Sequence, residues 1–122
     1  VVPTYIDDLL TIQVKDGAEE VRVLLTGRST ARKPNHFLVP ILKKTLEEAA
    51  VTDKRVVLDF FQLDYMNSAT ITPIVRVLAA AKRGNSRVTI QYNRGLNWQD
   101  ISFTALELFQ TEDGRVLIQG LD

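Results

Sequence analysis

Residues 55–83 read "RVVLDFFQLDYMNSATITPIVRVLAAAKR", and how this stretch is divided decides the fold. The first seven, "RVVLDFF", are nearly continuous apolar residues, with Val56, Val57, Leu58, Phe60 and Phe61, the pattern of a strand at the centre of a sheet covered on both faces. The last ten, "IVRVLAAAKR", have helical character, and Gly84-Asn85 supplies a stop signal. Between them, in "LDYMNSATITP" (63–73), lie the small polar residues Asn67, Ser68 and Thr70. Pro73 lacks an N–H and is harmless only in a first turn, so the spacing predicts a helix from about Thr70 to Arg83. Its cap then lies between Thr70 and Thr72, and Ser68 falls just outside it.

Working outward, "LLTIQVK" (9–15) and "VRVLLT" (21–26) are β-branched runs separated by "DGAEE". Asp-Gly between such runs predicts an antiparallel hairpin whose turn uses glycine at positive φ. After Gly27 comes the polar loop "RSTARKPN", then "HFLVPILKKTLEEAAV" (36–51), with Phe37, Leu38, Ile41, Leu42, Leu46 and Ala49 on one helical face. Pro40 predicts that this helix begins no more than about three residues before it. "RVTIQYN" (87–93) is the next strand. "WQDISFTALELF" (98–109) is a shorter helix with Trp98, Ile101, Leu108 and Phe109 as core candidates. Asp113-Gly114 turns into a last strand, "RVLIQG" (115–120). The order ββαβαβαβ predicts a single α/β domain over 1–122, with a mixed four- to five-stranded sheet and about three helices.

The whole-chain numbers exclude several function classes. Fifteen basic residues balance fifteen acidic ones, so no global field favours nucleic acid or an anionic membrane. The absence of cysteine removes disulfides, thiolate zinc sites and thiol nucleophiles, and fits a cytoplasmic protein. No apolar run approaches the roughly 18 residues that span a bilayer, and no basic-then-apolar signal pattern opens the chain, so the expectation is a soluble intracellular domain. His36 is the single histidine and has no cysteine or carboxylate pair around it, so neither a metal site nor a hydrolase triad is expected. With no phosphate-cradling glycine-rich motif either, the reading is a non-enzyme that needs no cofactor.

A hydroxyl beside the positive end of a helix dipole has two readings. It is an ordinary residue of a helix start, or it is a place where an added anion is tolerated. A phosphoryl group on Ser68 brings about −1.5 to −2 charges and three acceptor oxygens to a neutral surface, enough to repel a partner packed against the bare hydroxyl. The loop after Gly27 gathers Arg28, Arg32 and Lys33, with Ser29 among them. If strands 21–26 and 56–61 are parallel neighbours, both following loops emerge at one edge of the sheet, and these residues are contacts for a phosphate or a partner, or else solvated charges. Asp59 either bonds loop amides or faces solvent. Tyr65 and Met66 either face a partner or pack beneath the helix.

The segment "VVLDFFQLDYMNSATI" (56–71) resembles the STAS domain of anti-sigma-factor antagonists. There an apolar strand with an Asp leads to a short loop ending in Asp-Ser-Ser-Gly or a variant, whose first Ser a partner kinase phosphorylates. Adding "GRSTARKPNHFLVPIL" (27–42) makes the chain similar to the SiaC-type regulatory phosphoproteins, on Gly27, Arg28, Ser29, Pro40, Ile41, Leu42, Leu63, Asp64, Tyr65, Asn67 and Ser68. Those proteins carry an acidic cluster where this chain reads "NRGLNWQDIS" (93–102), and Ala69 and Thr70 stand where they have small Ser or Gly residues.

The resemblance implies a STAS-like fold and partner switching on Ser68, in a switch loop of Tyr65, Met66, Asn67, Ala69 and Thr70. The partners it implies are a serine/threonine protein kinase, a PP2C-type phosphatase and a target bound by the unphosphorylated form. That target is a diguanylate cyclase or an anti-sigma kinase. The alternative is a constitutive interaction module of the same fold with no switch.

Overall fold

Alternation of apolar and polar residues commits one face of a sheet to the core. In the computed structural model, which describes residues 2–122, this sheet has seven strands. They are β1 (Thr4–Asp7), β2 (Leu10–Asp16), β3 (Glu20–Ser29), β4 (Arg55–Asp59), β5 (Leu63–Met66), β6 (Val88–Asn93) and β7 (Val116–Leu121). The order is β1-β2-β3-β4-β6-β7, and β5 pairs with the far end of β3. β1–β2–β3 is antiparallel, whereas β3–β4, β3–β5, β4–β6 and β6–β7 are parallel. The helices α1 (Asn35–Val51), α2 (Ser68–Arg83) and α3 (Asn97–Thr104) are the crossovers, and α3 runs into a 3₁₀ turn, Ala105–Phe109.

Register defines both faces. Val21, Val56, Val88 and Val116 align in one row, and Val23, Leu58, Ile90 and Ile118 in the next on the same face. Leu38, Leu42 and Leu46 of α1, Ile74, Val77 and Leu78 of α2, and Phe103 of α3 join these rows in one core cluster. Val57 is buried on the opposite face and lies outside that cluster. There Arg22 donates to Asp59 and Gln91, and Gln91 donates to Gln119, so hydrogen-bonded polar side chains cross β3, β4, β6 and β7. β4 is therefore not buried under helices on both sides, contrary to its continuous apolar appearance.

The sheet has more strands than the four to five expected because two are short and poorly patterned. β1 is mostly exposed, and Asp8 turns it into β2 with φ 55°, a left-handed position held by an aspartate rather than a signalling glycine. β5 occupies the stretch expected to be loop. Gly17 forms the β2–β3 turn without positive φ; its requirement is close approach, since a Cβ there would lie 2.9 Å from the Glu20 carbonyl oxygen. Gly27 does need its freedom: φ is 88° where the pairing of β3 with β5 shifts register between Gly27 and Arg28.

Both long helices begin earlier than their prolines suggested. α1 starts at Asn35 and α2 at Ser68, so Pro40 and Pro73 each sit inside a helix. The carbonyls that lose an i+4 partner belong to exposed His36 and half-buried Ala69, still close to solvent at the helix starts. Ile101 and Leu108 are exposed, not core; the buried side chains of that segment are Gln99, Phe103 and Leu106, a different helical phase. Trp98 and Phe109 pack partly against the core. Among the described residues no helix is long and apolar enough to cross a membrane.

Candidate functional site

The N-terminus of α2 is built by two strand ends. β3 and β5 run side by side to Ser29↔Met66, and the Asn67 N–H then donates to the Ser29 carbonyl, extending the ladder by one bond. At that point the chain turns into helix. Asn67 has extended backbone (φ −78°, ψ 168°) and its Oδ1 accepts from the Thr70 N–H at 3.1 Å, the geometry of an N-cap. The cap is thus Asn67, not a residue of 70–72, and Ser68 is the first helical residue instead of lying outside the helix.

The cap is held by a relay of hydroxyls and amides. The buried Ser29 hydroxyl lies 2.7 Å from Thr70 Oγ1, which donates to Asn67 Oδ1 at 2.7 Å. Because Thr70 spends its proton on Asn67, Ser29 is the donor in the first bond. Asn67 Nδ2 donates to the Ala31 carbonyl at 2.9 Å, tying the basic loop to the helix start. Ser29 is therefore a buried support for the cap and not a surface contact for a phosphate or partner. Thr70 is likewise buried inside the helix, and Met66 points into the core. The expected switch loop is in fact the end of a strand and the first turn of a helix.

Ser68 is exposed and takes no part in the capping bonds. Tyr65 is exposed too, and the Arg28 guanidinium lies over its ring, 4.7 Å from the centroid, a cation–π contact on the outer side of the β3–β5 pair. Arg32 and Lys33 are exposed and follow directly after Ala31, the residue Asn67 anchors. Ala69 is half-buried beside Ser68. The arrangement presents one free hydroxyl at a helix N-terminus, where unsatisfied N–H groups and the helix dipole favour negative charge. Among the described residues no group of three His, Asp or Glu side chains is placed to hold a metal ion.

Two supports lie deeper. Asp59 accepts from the Phe61 N–H at 3.0 Å and pairs with Arg22 at 2.8 Å, so it fixes the β4–β5 corner and also joins the polar row. Gln99 is fully buried: Nε2 donates to the Phe60 and Leu63 carbonyls and Oε1 accepts from the Asn93 N–H. It bolts the corner that leads to β5 onto the start of α3. Sequence reasoning passed over it, because a glutamine in a helix normally reads as surface; the available signal was its i, i+4, i+7 spacing with Phe103 and Leu106.

No family model matches the chain, and no curated protein matches it significantly.

Proposed function

We propose that the protein is a non-enzymatic regulatory phosphoprotein of STAS-like or SiaC-like type that exchanges partners according to phosphorylation of Ser68. A serine/threonine kinase adds the phosphoryl group and a PP2C-type phosphatase removes it. The unmodified form binds a target, a diguanylate-cyclase-like enzyme or an anti-sigma kinase. What carries this reading is the division of labour at the α2 N-terminus: Asn67 and Thr70 do the capping, and Ser68 is left exposed with a free hydroxyl. A phosphate there is favoured by the helix terminus, and Arg28, Arg32 and Lys33 lie on the adjoining strand end and loop. Its arrival puts a doubly charged anion where a neutral hydroxyl stood, beside these cations, without dismantling the fold.

The test is partner capture from the native cells with Ser68→Ala and Ser68→Asp baits, quantified by mass spectrometry. The reading expects a target that is retained by Ser68→Ala and depleted at least about tenfold by Ser68→Asp, the effect of a desolvated charge at an interface. Equal capture by both baits would instead favour the constitutive module.

A further inference from the structure

Ser68 heads a stripe. Thr72, Arg76 and Ala80 follow at four-residue steps, all exposed, and so run in line down α2. This stripe borders a groove of about 210 Å³ between α1 and α2, lined by Val39, Lys43 and Leu46 on one side and Arg76, Val77 and Ala80 on the other. Leu46 and Val77 form a buried floor, and Lys43 and Arg76 stand on the rims. α2 carries Arg76, Lys82 and Arg83 and no acidic residue at all. From Ser68 to Ala80 the stripe is about 18 Å long, about three turns of a helix.

We propose that this groove receives an amphipathic helix of a partner protein, its apolar stripe seated on Val39, Leu46, Val77 and Ala80 and its acidic flanks paired with Lys43 and Arg76. The apolar floor selects a helix with residues at i, i+3, i+4 and i+7, and the two cations select its charge. A flat anionic membrane fits less well, because Leu46 and Val77 lie buried below the rim, and reaching them takes a ridge of side chains and not a flat surface. The occupant also gives the switch a target: a phosphoryl group on Ser68 lies about 12 Å along the axis from Arg76 and opposes acidic side chains at the head of the groove. That last step rests on the function proposed above; the groove does not.

The experiment uses the isotope-labelled chain and a synthetic amphipathic helical peptide with leucines at i, i+3, i+4 and i+7 flanked by glutamates. Its controls are the same peptide with lysine flanks and phosphatidylglycerol vesicles. Binding of the acidic peptide should shift the amide resonances of Val39, Leu46, Val77 and Ala80, and Lys43→Glu/Arg76→Glu should weaken it about tenfold or more. No binding, shifts centred elsewhere, equal binding of the lysine peptide, or a response to vesicles alone would overturn the proposal. Ser68→Asp reads the switch separately. Weaker binding of the acidic peptide supports both claims, whereas unchanged binding in the groove keeps the docking site and removes the switch.

Discussion

At the scale of single residues, Asn67 and Ser68 are neighbours with opposite duties. Asn67 accepts from the Thr70 N–H and hydroxyl and donates to Ala31, whereas Ser68 contributes to none of these bonds. Asn67→Ala removes a helix cap and leaves the buried Thr70 hydroxyl without an acceptor, so chemical denaturation should show a loss of about 2 kcal/mol. Ser68→Ala should stay within about 0.5 kcal/mol of the parent. A larger loss for Ser68→Ala than for Asn67→Ala would reverse the two assignments. Sequence alone located this junction and its exposed hydroxyl, but named the wrong cap. Proline's exclusion from helix interiors argued for a start at Thr70, and the bonds that justify an earlier start reach to Ser29 and Ala31, about forty residues back in the chain, where no local pattern reveals them.

At the scale of elements, periodicity worked where one face is buried and failed where segments are short. The β2–β3 hairpin, the α1 stripe of Leu38, Leu42, Leu46 and Ala49, and the strands β4, β6 and β7 follow their apolar spacing. β5 escaped because only Leu63 and Met66 of its four residues are buried and its partner is the bulged end of β3. The α3 segment was phased wrongly because its buried anchor is the polar Gln99, so the apolar but exposed Ile101 and Leu108 drew the face away from the Gln99, Phe103 and Leu106 row. Gln99→Leu keeps the volume and strips donors from the Phe60 and Leu63 carbonyls and an acceptor from the Asn93 N–H. It should destabilise by about 3 kcal/mol and raise amide hydrogen exchange across 63–67. Unchanged exchange there would mean that β5 does not depend on this bolt. The turn before β7 adds a pH-dependent element. The Thr111 hydroxyl and the Arg115 N–H hold the Asp113 carboxyl below its ordinary value. A depressed folded value means that this contribution is present above the unfolded value, near about 3.9, and is lost as pH falls through the folded one. Asp113→Asn should flatten that part of the acid stability profile; a profile identical to the parent's would remove Asp113 from it.

At the scale of the whole molecule, the sheet separates support from display. One face is packed with Val21, Val23, Leu58, Ile90 and the helices; the other is tied by Arg22, Asp59, Gln91 and Gln119. Around the N-terminus of α2 the molecule displays Ser68, Tyr65 and the charges of Arg28, Arg32 and Lys33 on a frame held by the bonds among Ser29, Ala31, Asn67 and Thr70. The mixed α/β class, its three helices and the parallel relation of β3 and β4 followed from the order of elements. The seven strands did not, because β1 and β5 are short and weakly patterned, and neither did the gathering of the core-forming helical residues on one face, which depends on pairings distant in sequence. The central claim is that Ser68 is the residue whose charge changes. Phosphosite mapping by mass spectrometry on the protein recovered from its own cells tests it most directly: the account predicts phosphate on Ser68 that disappears in Ser68→Ala, and phosphate confined to other hydroxyls such as Thr30 or Thr72, or none at all, would contradict it.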